Sequence, residues 1–262
     1  MRIIVILRRV LDPAGIVAHR RLRRLFINRV EYLLQPADRC ALEAALRIKD
    51  AGDAEVIVVS GRPEPNDDTL RRGLAMGADR AIYLCGEGFK DADDAVVVRA
   101  LRAAIEQLGG ADLVLAGATT LDTDQGQLGL RLAEALGWPQ IVGAWFVEAA
   151  NGHLQAVCQD GEQYVLVETD LPVAVTVQPG ALKPRYANGV RLINIYRGEG
   201  EVAEALEQWD IADLLAPDGL TPLLESRGRD FPPERERGER VEGAPAEMAQ
   251  TVADALQQRL RR

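Results

Sequence analysis

The chain has 262 residues, of which 47% are hydrophobic and 27% charged, with a formal net charge of −9. That composition suits one soluble domain of good size, or a domain with an appendage, and excludes a general nucleic-acid binder. No apolar run approaches the ~18 residues needed to span a bilayer, and three scattered cysteines and two histidines exclude a disulfide framework or a His-based metal site.

Taken in order, Ile3–Leu7 reads as a first buried strand rather than a signal peptide, because no small-residue cleavage site follows it. The basic run from His19 to Arg24 comes next. Its two readings are an anion patch and a solvated loop or hairpin, and the acidic whole favours the second. Pro36 to Ala51 has a helical stripe of Leu42, Ala45 and Leu46 and ends at Gly52. Val56–Val59 is a second buried strand, Asp67 to Met76 a second helix, and Ala81–Leu84 a third strand. Asp93 to Leu108 is the clearest helix, with apolar residues three and four apart. Leu113–Ala116 is a fourth strand, and Gly117 breaks it. A polar loop then opens a helix near Gln125, which Gly137 and Pro139 stop. Alternating strands and helices predict an α/β fold: a doubly wound, mostly parallel, Rossmann-like sheet.

The second half changes character. Leu154–Cys158 and Gln163–Val167 flank Gln159–Glu162, which predicts a β-hairpin. Val173–Val177 is a further buried strand. From Pro179 the chain reads as irregular, followed by a short acidic helix from Glu201 to Trp209. Residues 217–246 mix Pro, Gly, Arg and Glu and predict an extended arm. The arm ends in an amphipathic helix, Pro245 to Leu260, striped with Met248, Val252, Leu256 and Leu260. We therefore expect an α/β domain over 1–216 and an arm with its helix over 217–262.

The residues around Gly117–Leu128 carry the most chemistry. A strand that feeds a loop opening a helix is where α/β proteins hold phosphate, because the first helical N–H groups are unpaired. The candidates are Asp122, Asp124, Gln125, Gly126, Gln127 and Leu128, with Gly126 allowing close backbone approach. Asp122 and Asp124 would repel a phosphate in direct contact, so they suit loop, ribose or amide contacts. The bland alternative is a capping box, Asp124 with Gln127 three residues on. From spacing alone both readings stand. Arg8 and Val10 follow the first strand, and Ser60 ends the second, at the sheet edge where ligands lie in such folds. Their alternatives are core packing and an ordinary turn. Gly73 and Gly77 read as packing and cap residues. No Gly-x-Gly-x-x-Gly follows a strand, and no Ser-His-Asp or Cys-His site can be placed, so neither catalytic nor metal residues are expected.

Seven separated segments resemble the electron transfer flavoprotein β subunit family, the FixA type included. Leu121–Gln127 and Leu136-Gly137-Trp138-Pro139-Gln140 resemble its A-I-D-x-D-x-x-Q loop and L-G-W-P-Q helix end. Arg8 to Asp12 resembles K-R-V-x-D. Gln35-Pro36 through Arg47 resembles the helix that starts N-P. Arg71 to Ala81 resembles R-x-A-L-A-M-G-A-D-R-[AG]. Leu171-Pro172 to Val177 resembles L-P-A-V-V-T-V. Lys183-Pro184-Arg185-Tyr186 resembles E-P-R-Y, and residues 232–243 resemble the proline-rich arm.

The resemblance implies a non-catalytic subunit that binds AMP structurally. It implies an α subunit that holds a redox-active FAD, a flavoprotein dehydrogenase as donor, a quinone reductase-type acceptor and a cytoplasmic setting. In electron-bifurcating relatives a second FAD takes the place of AMP. The implied nucleotide contacts are Arg8, Val10, Gln35, Ser60 and the 122–128 loop, and the arm is implied to pack on the partner subunit. A partner-docking loop is implied at about 179–197, with Arg185, Tyr186, Gly189, Val190 and Leu192. Here the chain departs from the family: Gly189 stands where an anchoring leucine is usual, and the lysine run is gone. That predicts a dedicated partner anchored by Val190 or Leu192, though both also fit a core position. Gln35 replaces the usual Asn, and a longer amide is a poorer helix cap. The competing class is an adenine-nucleotide enzyme or ATP-sensing module on a related fold, but the S-G-G-x-D-S loop of ATP pyrophosphatases is missing after the first strand.

Overall fold

The computed structural model describes residues 1–27, 32–61, 68–225, 231–232, 238 and 240–260. The predicted helix start at Asp67 and much of the arm between 226 and 239 lie outside the described residues. The chain divides into two compact units, Met1–Ser226 and Arg227–Arg262.

The first unit begins with β1 (Arg2–Ile6), followed by the short strands β2 (Arg9–Leu11), β3 (Ile16–His19), β4 (Arg24–Ile27) and β5 (Tyr32–Leu34). β2 pairs with β5 and β3 with β4, in two small antiparallel ribbons outside the main sheet. Helix α1 (Pro36–Ala51) leads to β6 (Glu55–Gly61), α2 (Asp68–Met76) to β7 (Arg80–Cys85), and α3 (Asp94–Gln107) to β8 (Leu113–Gly117). After α4 (Gln127–Leu136) the chain forms an antiparallel wing of β9 (Gln140–Ala150), β10 (His153–Asp160) and β11 (Gln163–Asp170). It then returns as β12 (Val173–Val177). Next come α5 (Gly189–Arg197), α6 (Glu201–Glu204), β13 (Leu206–Asp210) and α7 (Ile211–Leu214).

Among the described residues nine strands make one sheet in the order β11-β10-β9-β12-β8-β1-β6-β7-β13. The pairs from β9 through β12 to β13 are parallel. β1, β8 and β12 are buried nearly throughout, as strands covered on both faces must be. The helices divide between the faces. Ile3, Val5 and Leu7 pack with α1, α2 and α5 in one core, while Ile4 and Ile6 pack with α3, α4 and α7 in the other. The fold is thus the expected doubly wound, Rossmann-like α/β sheet.

Gly73 shows why α2 sits so close to the sheet: a Cβ there would stand 2.9 Å from Leu7 Cδ1 and 3.2 Å from Val58 Cγ2.

Two expectations need correction. Glu201 to Trp209 is not one helix. Only Glu201–Glu204 is helical, and Leu206–Asp210 is the edge strand β13, paired in parallel with Ala81–Cys85. The open edge of β7 outweighs the helical pattern of a short acidic segment. The stretch after Pro179 is not irregular throughout. Asn188 caps α5 by accepting from the Arg191 N–H at 3.1 Å, a start signal hidden by Pro179, Gly180 and Pro184 upstream.

In the second unit, α8 (Pro245–Leu260) buries none of its side chains, and Val252, Leu256 and Leu260 of its stripe are exposed. No helix among the described residues is long and apolar enough to cross a membrane.

Candidate functional site

The sheet order fixes where a ligand belongs. From β1 the chain moves to β6 and β7 on one side, then crosses back to β8 on the other. The crossovers therefore diverge between β1 and β8, and open α/β sheets bind ligands beyond the carboxyl ends of strands at such a point. Here those ends are Leu7-Arg8 and Gly117-Ala118.

A buried ion pair builds the floor of this crevice. Asp38, in the first turn of α1, is fully buried. Its Oδ2 accepts the backbone N–H of Arg8 at 2.7 Å and Arg8 Nε at 3.0 Å. Its Oδ1 accepts Arg8 Nη2 at 2.6 Å and the Gly117 N–H at 2.8 Å. Arg8 Nη2 also donates to the Gly117 carbonyl at 2.9 Å. One carboxylate and one guanidinium thus tie together the ends of β1 and β8 and the start of α1. Burial alone would lower the Arg8 pKa, but the charge and hydrogen bonds of Asp38 raise it, with Asp122 and Asp94 adding to the effect. Gly117 has no room for a side chain, since a Cβ would stand 2.5 Å from Asp38 Oδ1 and 2.6 Å from Ala37 Cβ.

Gln35 has a different role from a cap. It makes no side-chain capping bond to α1, where Pro36 takes the first position. Instead Gln35 Nε2 donates to the Thr119 carbonyl, and Oε1 accepts the Leu121 N–H at 3.3 Å. The longer amide reaches across the crevice and fastens the loop after β8. That loop is further shaped by the Gln125 N–H donating to Thr120 Oγ1 at 3.2 Å, and by Asp124 in the left-handed region at φ 54.

The capping-box alternative is not realised. The N-cap of α4 is Gly126, it supplies no side-chain cap, and Gln127 accepts instead from Arg131 Nη2 at 2.8 Å. The helix therefore opens on the loop with backbone N–H groups that no capping side chain occupies, which is the arrangement an anion needs. Asp122, Asp124 and Gln125 are exposed around the loop, while Leu128 packs toward the α3–α4 core and offers only its backbone. Gly126 is required for loop closure itself: a Cβ would lie 2.2 Å from the Ala118 carbonyl oxygen. Val10 is buried in β2 opposite Leu33. Ser60 is buried near the end of β6, one residue beyond Val59, the partner of Ile6. The structure thus gathers Arg8, Gln35 and the 122–128 loop at the crevice, with Val10 and Ser60 on flanking strands.

A concavity of about 760 Å³ in the antiparallel wing is lined by Glu148, Glu168, Asp170 and His153, among others. Three carboxylates make it a poor place for a phosphate.

The segment from Lys183 to Arg197 is held by α1 and α2. Glu43 Oε2 accepts the backbone N–H and Nε of Arg185, each at 3.0 Å, and its Oε1 accepts Arg47 Nε at 3.0 Å. Arg185 Nη2 also reaches Asp50 at 2.7 Å. Burial alone would raise the Glu43 pKa, but the Arg185 and Arg47 hydrogen bonds hold it below its ordinary value. Asp50 and Glu43 likewise raise that of Arg185. Arg191 donates to the Leu74 and Ala78 carbonyls, each at 3.2 Å. Fixed in this way, α5 turns Leu192 toward the core and leaves Val190 68% exposed beside exposed Ile193 and Tyr196. Tyr186 is exposed, and Gly189 begins the helix. Ile193 and Tyr196 follow Val190 at three-residue spacing, a helical signal that the Pro- and Gly-containing stretch before Asn188 masks in the sequence.

Residues 25–213 match the family described as Electron transfer flavoprotein domain. The chain is 32% identical over 234 residues to the electron transfer flavoprotein subunit beta of Methylophilus methylotrophus, covering 86% of each chain. It is 31% identical to the caffeyl-CoA reductase-Etf complex subunit CarD of Acetobacterium woodii. It is 29% identical to the acryloyl-CoA reductase electron transfer subunit gamma of Anaerotignum propionicum. Both of those matches cover 99% of each chain.

Proposed function

The chain belongs to the electron transfer flavoprotein family as a β-type subunit, and we propose that it binds AMP in the β1–β8 crevice and works beside a partner subunit that holds FAD. The observation that carries the nucleotide reading is the start of α4. Its N-cap side is bare, and it opens on a loop that Gln35 and the Arg8–Asp38 pair hold in place. The first-turn N–H groups, near Gln125 to Leu128, would take the phosphate. Val10 and Ser60 would edge the adenine or ribose, and Asp122 or Asp124 would serve hydroxyl or amide groups. One uncapped helix start suits the single phosphate of AMP, with a second FAD as the alternative occupant. The chain itself carries electrons through no side chain in this reading.

The partner-facing parts are the Lys183–Arg197 segment and the arm with α8. Electrons would enter from a flavoprotein dehydrogenase and leave to a quinone reductase-type acceptor. Two relatives matched end to end are named as subunits for acryloyl-CoA and caffeyl-CoA reductases, which supports one dedicated CoA-ester oxidoreductase as partner. The exposed Val190, where glycine precedes it instead of a leucine, fits that reading.

The test is extraction of nucleotide from the purified heterodimer. One FAD and one AMP per heterodimer is the expected result. Two FAD would select the alternative, and no second nucleotide would reject the crevice. Gly126→Leu should abolish most of the AMP content, because its side chain would collide with the Ala118 carbonyl and deform the loop.

A further inference from the structure

Residues 16–27 are used by neither the crevice nor the docking segment. β3 and β4 pair with each other in a ribbon of their own. The pairs Val17–Phe26 and His19–Arg24 share one face, where the rings of His19 and Phe26 meet edge-on at 6.1 Å. Ala18 and Leu25 point to the other face. At the tip His19 Nδ1 accepts the Leu22 N–H at 3.2 Å, and Arg23 turns the chain at φ 46. The hairpin therefore has a defined shape.

Its surface is unlike that of a ribbon meant for water. Val17, Leu22, Leu25 and Phe26 are 43–56% exposed, so apolar groups lie on both faces and at the tip. A two-stranded ribbon is marginally stable alone in water, and pairs as exposed as Val17–Phe26 give it only modest support. Among them stand Arg20, Arg21, Arg23 and Arg24, in a chain of net charge −9, with no Asp or Glu anywhere in the hairpin. Arginine rather than lysine supplies planar, bidentate donors matched to carboxylates. Arginine beside aromatic and aliphatic groups is the composition of a protein interface.

We propose that this hairpin is a docking arm for a redox protein with an acidic, partly apolar face, which exchanges electrons with the flavin of the complex. The proposal rests on the electron-carrier reading above. The occupant is a compact protein because the rest of the chain is strongly acidic. An extended polyanion, such as a membrane surface or a nucleic-acid duplex, would also meet a chain whose remaining charge is strongly negative. A small acidic protein face meets only the arginines. A positive tip on a negative body also orients an approaching acidic partner toward the tip.

The experiment uses the complete heterodimer and a flavodoxin, a small acidic flavoprotein, as the probe. Binding should be measurable at low salt and fall steeply with ionic strength. The triple variant Arg20→Glu/Arg21→Glu/Arg24→Glu should weaken it by about tenfold or more and flatten the salt dependence. Leu22→Ser/Leu25→Ser should weaken it while leaving the salt slope in place. Absence of binding by the wild-type complex, or equal binding by the triple variant, overturns the proposal. So does a change of oligomeric state in the triple variant, or loss of binding to phosphatidylglycerol vesicles with flavodoxin binding intact. Flavin content and reduction of a small dye by the same preparations report on the carrier reading separately, since neither needs the hairpin.

Discussion

Arg8 and Arg185 both bind carboxylates of α1, one at its first turn and one along its body, and they do so in opposite surroundings. Asp38 is fully buried and the Arg8 side chain only 16% exposed, and their bonds join two strand ends and a helix start. Glu43 is buried too, but Arg185 is about one-third exposed and its second acid, Asp50, is largely open to water. The first pair is part of the frame, and a buried charge stripped of its partner has nowhere to go. The second pins a surface segment, and water is at hand to replace what is lost. The same chemistry thus ties strand ends together at one end of the helix and holds the Lys183–Arg197 segment along the rest.

The sharpest way to break this contrast is Asp38→Ala. It strands the Arg8 cation and should cost about 3–5 kcal/mol, read by denaturant unfolding, with loss of bound nucleotide. A loss under about 1 kcal/mol would show that the pair is not the frame. Arg185→Gln should cost less, about 1–2 kcal/mol, and, on the docking proposal, should slow electron exchange with the proposed oxidoreductase partner by freeing the segment.

A pH series sharpens the same point. The Glu43 pKa is lowered in the folded chain. Its contribution is therefore complete above the ordinary glutamate range and is lost as pH falls through the depressed folded value. In Arg185→Gln the acid-side loss of stability should be smaller than in the wild type, and equal acid profiles would contradict the assignment. The smallest effect on stability belongs to Val190→Ala and Ile193→Ala, within about 0.5 kcal/mol because both side chains are exposed. Electron transfer from the proposed partner should nonetheless fall several-fold. Unchanged rates would remove α5 from the docking surface.

Much of this frame was legible in the sequence. Ile3–Leu7, Val56–Val59, Ala81–Leu84, Leu113–Ala116 and Val173–Val177 stand out because strands buried on both faces are apolar throughout, and together they place the crevice. The wing was only half visible: the turn at Gly161 marks β10 and β11, but β9 alternates weakly. β13 was missed since an edge strand owes its state to β7, a partner far away in sequence. The role of Asp38 was hidden for the same reason. An acid in the first turn of a helix reads as a dipole partner, and nothing local says that Arg8 will lie against it. Gln35 looked like a poor cap because its true partners, Thr119 and Leu121, come from another loop.

β12 is made after the wing, yet it lies between β9 and β8. The order of synthesis is therefore not the order of neighbours. A growing chain that has not yet extruded Val173–Val177 holds β8 with one edge open and a three-stranded wing without its tie to the parallel half. Such late closure of distant pairs slows folding and leaves sticky edges exposed meanwhile. Ribosome-stalled chains ending before Val173 should accordingly be cut by protease throughout β9–β11. Chains long enough to free Val177 should become resistant there, and early resistance would mean that the wing folds without its tie.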